Sequence, residues 1–154
     1  MIFIGRWVFH SIASINENGE QVYLGAKDYI ASPMPYIDVN DKEAVEDEIA
    51  ERKRMTEIIL DVCEDGKIYT LMPIPEGATK EEIDDAVKSG EFALHDGLLC
   101  FAEVLEWEER NGEFWYNTGV EGEIFGEKAD PWEKAIDENG FFNYMTTRFI
   151  KEEK

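Results

Sequence analysis

Histidine and cysteine are nearly missing from this chain, with two of each among 154 residues. Cys63 and Cys100 sit in separate apolar runs, where a free thiol behaves as a small buried hydrophobe, so a structural disulfide is not expected. Together with His10 and His95 they make neither a C-x-x-C nor an H-E-x-x-H spacing, which argues against a tetrahedral metal centre; no cofactor is expected. Basic residues are scarce as well. Fifteen Lys and Arg against thirty-five Asp and Glu give a formal charge of -20, a field that repels phosphate backbones and anionic headgroups. Neither nucleic acid nor a membrane is therefore an expected partner, whereas a basic protein is a possible one. The acids are interleaved with apolar residues, as on a solvated face, and form no acidic tail. No apolar run approaches the roughly 18 residues needed to span a bilayer. The opening Met1-Ile2-Phe3-Ile4-Gly5-Arg6 has no charged leader before an apolar stretch, so the expected compartment is the cytosol.

Motifs for catalysis are equally thin. No serine stands in a G-x-S-x-G elbow, and Gly119-Val120-Glu121-Gly122 lacks the lysine of a phosphate cradle; those glycines are expected to relieve a bend in a strand. Residues 61–66 and 137–140 lack the alternating oxygen ligands of a calcium loop and read as turns. His10 alternates with Val8 and Ile12 as a strand histidine does, and His95 precedes Asp96-Gly97 in an expected turn.

Aromatic residues are plentiful: nine Phe, six Tyr and four Trp, a composition that favours strands over a helical bundle. Residues 4–15 alternate as a strand and end in Asn16-Glu17-Asn18-Gly19, a turn leading to a second strand over residues 20–24. Asp41 is an N-cap for a polar surface helix through Arg54, in which only Ala44, Val45, Ile49 and Ala50 are candidates to face a core. Residues 55–63 and 67–74 flank Glu64-Asp65-Gly66 as a hairpin, with Ile58, Leu60 and Val62 on one face and Asp61 on the other. Thr79-Lys80-Glu81-Glu82 is a capping box, Ile83, Ala86 and Val87 continue it as a helical stripe, and Gly90 marks the stop. Strands over 98–109 and 113–118 enclose Asn111-Gly112. Asp130-Pro131-Trp132-Glu133 reads as a helix start, and residues 141–151 as one long final strand. The chain is long enough for one core, so residues 1–154 are expected to form a single domain: a mainly β, antiparallel up-and-down barrel of about eight strands with two or three short helices.

Gly5 and Trp7 stand in the first expected strand and Arg148 in the last. In this the chain resembles the calycins, the superfamily of lipocalins and intracellular fatty-acid-binding proteins, with its glycine-any-tryptophan motif on the first strand and arginine on the last. The resemblance implies that Gly5, Trp7 and Arg148 close one end of the barrel, with the guanidinium of Arg148 stacked on Trp7. In fatty-acid-binding proteins a tyrosine two residues after that arginine helps to hold the ligand carboxylate; here Ile150 stands in its place, which puts a carboxylate clamp in doubt. The insert over residues 41–54 is a further departure.

The expected function is non-catalytic binding of a small, partly apolar molecule inside the barrel. Its candidate residues are Arg148, Glu103, Phe101, Trp107, Tyr116 and Tyr144, in an alternating set that also includes Phe114 and Phe142. In one register Glu103 points inward with Phe101, Leu105 and Trp107, where burial would raise its pKa; the opposite register puts Glu106 and Glu108 on a face with Val104 and Cys100, and the pattern leaves both open. One alternative is an acidic interaction or regulatory module with a filled core; another is an enzyme using Glu103 or His10.

Overall fold

Period-two alternation drives the first half of the chain into strands. The computed structural model describes residues 3–152 apart from 75, 76, 96, 120–122, 125, 129 and 145. In chain order the described residues form β1 (Gly5–Ile15), β2 (Gln21–Leu24), α1 (Ala26–Ile30), α2 (Lys42–Thr56), β3 (Ile59–Val62), β4 (Lys67–Met72), α3 (Lys80–Lys88), β5 (Phe92–His95), β6 (Leu98–Phe101), β7 (Leu105–Arg110), β8 (Glu113–Asn117), β9 (Glu123–Ile124), β10 (Glu127–Lys128), β11 (Trp132–Lys134), β12 (Phe142–Tyr144) and β13 (Thr147–Lys151). Local chemistry explains most boundaries. Asp41 caps α2 by accepting from the amide of Ala44, and Thr79 caps α3 by accepting from that of Glu82. The β7–β8 turn places Asn111 at φ 52° and Gly112 at φ 82°, the left-handed pair that a tight hairpin needs.

Several expected elements come out differently. Helix α2 runs on through Thr56, shortening the strand expected from residue 55. The strand expected over 98–109 breaks at residues 102–104 into β6 and β7, and His95 is the last residue of a further strand, β5, that pairs with β6. The last expected strand is a hairpin of β12 and β13. The predicted helix at Asp130 is β11: the Asp130 carboxylate does accept from the amide of Trp132, but Pro131 O takes the Thr118 amide and hydroxyl, and Trp132 then pairs with Asn117. Pairing with β8 outweighs the local helix signal. Two expected features, the Asp96–Gly97 turn and the bend at residues 119–122, fall partly outside the described residues.

An antiparallel sheet follows the path β11-β8-β7-β4-β3-β1-β13-β12 and curls into a half-barrel, with β2 pairing β1 and the β5–β6 hairpin joined to β4. The first and last strands are neighbours, as the barrel reading requires, with Trp7 opposite Lys151 and Phe9 opposite Phe149. Residues after β11 draw the two ends of the path together. Ala135 N donates to Phe114 O and Asn143 N donates to Ala135 O, while Ile136 bridges to Phe142.

The inward residues form one aromatic core. Trp7, Leu60, Val62, Ile68, Trp107, Phe114, Tyr116, Phe142 and Phe149 are all buried together, and Trp107 stacks on Phe114 with centroids 5.3 Å apart. Trp7 meets Phe142 edge-on at 5.8 Å and donates its indole N–H to Phe3 O at 3.0 Å. Gly5 is constrained twice: its φ of +135° disfavours other residues, and an added Cβ would come within 3.1 Å of the Lys151 side chain.

The expected Trp7–Arg148 stack does not form. Phe149 takes the inward position on β13, so its neighbour Arg148 projects from the outer face. There its guanidinium lies 3.7 Å from the centroid of Tyr23 and 4.5 Å from that of Phe141, and Nε donates to Ser11 Oγ at 3.0 Å. A β-bulge between Phe9 and Ser11 leaves His10 exposed beside this cluster, its ring 4.5 Å from that of Phe141.

Candidate functional site

A cleft of about 690 Å³ opens where the inward faces of the strands run out past the packed core. Phe149 belongs to the core and lines the cleft, and Ile58, Leu105 and Tyr144 pack against the one while lining the other. Met55, at the last turn of α2, also lines it. The break between β6 and β7 contributes Phe101, Ala102 and Glu103, and the residues leading into β5 contribute Glu91 and Phe92. Phe92 and Phe101 stack at 5.6 Å. The cavity thus has apolar and aromatic walls, hydroxyls from Thr70, Thr118, Thr146 and Thr147, and two carboxylates.

Tyr144 supplies a further hydroxyl. Burial, reinforced by the charge of Glu103, pushes its pKa above the ordinary tyrosine value, so at neutral pH it remains a hydrogen-bond donor. Behind it, 5.8 Å between centroids, Tyr116 is pushed up to about 12 by burial first and the nearby Glu133 carboxylate second.

The structure divides the six predicted ligand residues among three places. Phe101, Glu103 and Tyr144 line the cleft. Trp107 and Tyr116 are core residues, buried among Phe114 and Phe142. Arg148 is on the outer face, held by Tyr23 and Phe141. Glu103 is exposed in the irregular segment between β6 and β7 and does not share a strand face with Trp107. Phe101 still pairs with Phe92 at the end of β6, and Ala102 N donates to Glu91 O; all three of residues 101–103 line the cleft.

A second cluster lies on the outer face of β3, opposite the core residues Leu60 and Val62. Asp61 is paired across the ladder with Arg6 on β1 and with Tyr69 on β4. The β5–β6 hairpin, attached to β4, brings His95 over this face, and the Tyr69 ring stacks on its imidazole at 4.0 Å with 13° between the planes. His95 Nε2 is 2.9 Å from Asp61 Oδ2 and 4.0 Å from Cys63 Sγ. One donor atom from each of Asp61, Cys63 and His95 falls within 4.8 Å of the other two. Sequence reading weighed His95 with His10 and Cys63 with Cys100, and so missed this set. Its one visible signal is Asp61-x-Cys63, two liganding side chains on the same face of a strand.

Thiol, imidazole and carboxylate are also the parts of a nucleophilic relay, but a relay needs the carboxylate and the thiol on opposite ring nitrogens. Here both meet the same nitrogen. The chain matches no family model, and no curated protein or solved structure matches it significantly.

Proposed function

We propose that the protein binds a small amphipathic molecule in the cleft beside its core, without transforming it. The observation that carries this reading is a cavity of about 690 Å³ whose aromatic and aliphatic walls are interspersed with hydroxyls and two carboxylates, within the roughly 300–1,000 Å³ usual for small-molecule sites. The polar groups narrow the ligand class. Glu91 and Glu103 are carboxylates, the threonines and Tyr144 are neutral, and no Lys or Arg is among the described lining residues. A neutral or cationic head group suits such a mouth; a fatty-acid carboxylate does not. The calycin resemblance supports the same reading, because Gly5 and Trp7 stand on a first strand that pairs with the last in a curled antiparallel sheet. Arg148, turned to the outer face, has no place in that binding role.

Thermal-shift measurements with a long-chain amine, a monoglyceride and a fatty acid, each below its micelle concentration, test the proposal. At about 100 times Kd the amine or the monoglyceride is expected to raise Tm by about 5–10 °C. Ala102→Trp, at an exposed lining position, should abolish the shift. Glu103→Gln should weaken the amine about fivefold, the upper end for an exposed ion pair, and leave the monoglyceride unchanged. No shift with any of the three, or a shift indifferent to Ala102→Trp, rejects the cleft as the site.

A further inference from the structure

The geometry on the outer face of β3 points to a metal site, and we infer that Asp61, Cys63 and His95 together bind a borderline-soft divalent ion, Zn²⁺ by preference, with solvent in the fourth position. This inference is independent of the cleft.

Three features carry it. First, the donors are of three kinds that share one class of ion. A thiolate and an imidazole select against Mg²⁺ and Ca²⁺, which take oxygen ligands, and a single carboxylate completes a set common at zinc centres. Second, the donors converge. Zinc bonds of about 2.3 Å to sulfur and 2.0–2.2 Å to nitrogen and oxygen, set tetrahedrally, place the donor atoms roughly 3.4–3.7 Å apart. The Nε2–Oδ2 distance of 2.9 Å needs to open, and the Nε2–Sγ distance of 4.0 Å to close, by well under 1 Å each, while the carboxylate and thiol, within 4.8 Å of each other, need to close by at most about 1 Å. These adjustments are within reach of side-chain rotation. Third, the set is held. Asp61 is on β3 and Cys63 directly follows that strand, and the backbone of Cys63 accepts from the Trp107 indole at 2.8 Å. The Tyr69 ring fixes the plane of the imidazole, and the Tyr69 hydroxyl is itself anchored on Asp65 Oδ2 at 2.8 Å.

Access is one-sided. The His95 side chain is 22% exposed and that of Asp61 11%, so an ion can enter from solvent and keep a water there, the arrangement of an open rather than a closed zinc site. Arg6 stands across from Asp61 on β1. Asp61 has two oxygens, and Oδ2 already faces the imidazole.

The test uses the whole chain, reduced and freed of metal with a chelator, and titrates it with Co²⁺. The expected result is one equivalent bound, with a thiolate-to-cobalt charge-transfer band in the near ultraviolet, displaced by Zn²⁺ and unaffected by excess Mg²⁺. Cys63→Ser should remove the band. Asp61→Asn and His95→Ala should weaken binding about a hundredfold or more, since even loss of a group behind a ligand costs about 10–100-fold. Cys100→Ser and His10→Ala should leave it intact. A second readout needs no variant: Zn²⁺ should protect Cys63 of the wild-type chain from alkylation, followed by peptide mass. No band and no protection in the wild-type chain overturns the inference, as does a band that survives Cys63→Ser or affinity unchanged in folded Asp61→Asn or His95→Ala.

Discussion

Arg52 is the side chain on which the helical insert depends. It stands on the exposed helix α2 yet is only 4% exposed itself. Its Nη1 donates to the carbonyls of Tyr29, Ile30 and Ser32, its Nη2 to Pro33 O and the Tyr36 hydroxyl, and its Nε to Glu48 at 3.0 Å. The Tyr29 carbonyl, which also accepts from Ser32 N and Oγ, and the Ile30 carbonyl end α1, so the guanidinium adds to the C-terminal cap of α1 and ties it to α2. A hydrogen bond from Tyr36 and then one from Arg52 hold Glu48 below the ordinary carboxyl range. Lysine carries the same charge but not the planar fork, and cannot serve both sides of this site. Arg52→Lys is expected to lower stability by about 2–3 kcal/mol in denaturant unfolding, the scale of losing charged hydrogen bonds inside a structure. A loss below about 0.5 kcal/mol would refute the capping role. The sequence marked this helix and its Asp41 cap but named only Ala44, Val45, Ile49 and Ala50 as inward candidates, because a periodicity argument scores hydrophobicity and passes over a buried arginine.

At the scale of elements, the seam between the end of β11 and β12 draws the two ends of the sheet together, and Asp137 organises it. Its Oδ1 accepts from the amides of Asn139 and Phe141, and its Oδ2 from Asn143 Nδ2 at 2.9 Å. Burial alone would raise this carboxyl's pKa. The hydrogen bonds from Asn143, Phe141 and Asn139, with the positive charge of Arg148, outweigh burial and lower it below its model-compound value of 3.8. The folded-state pKa lies below the unfolded one, so the contribution to stability is complete above the unfolded value and is lost as pH falls through the folded one. Asp137→Asn should therefore cost about 1–2 kcal/mol at pH 7, and the difference from wild type should shrink below pH 4 in urea titrations. An unchanged difference at low pH would show that the carboxylate charge is not what matters. Residues 137–140 were legible as a turn. That the turn joins the ends of a curled sheet was not, because the seam's partner on β8, Phe114, is distant in sequence.

For the whole molecule, the net charge of -20 works against compaction, since most of the acids are exposed and repel one another. Screening should relieve that. Raising KCl from about 0.01 to about 0.15 M shortens the Debye length from roughly 30 to 8 Å, and Tm is expected to rise by about 2–4 °C, or roughly 1 kcal/mol at this size. Chloride rather than sulfate is the right anion, because sulfate also strengthens apolar burial. A flat or falling Tm would mean that local ion pairs such as Arg110–Glu108 and Lys134–Glu113 outweigh the general repulsion. Among the described residues no helix is long and apolar enough to cross a membrane.

What the sequence determined by itself is whatever depends on neighbours along the chain. Asn111-Gly112 specifies its turn because both residues tolerate positive φ; Thr79 and Asp41 cap their helices through amides three residues away; alternation sends Leu60 and Val62 inward and Asp61 outward. Only the tertiary structure decided the rest. Trp132 joins a strand because β8 offers it a ladder, Arg148 meets Tyr23 and Phe141 because the pleat that buries Phe149 turns its neighbour outward, and the end of β6 with the irregular segment after it gives Phe101 and Glu103 to the cleft. His95 reaches Asp61 and Cys63 across 34 and 32 residues of chain. Such meetings depend on the folding of β5 over β3, and short-range propensity carries no record of which distant strand a hairpin will cover.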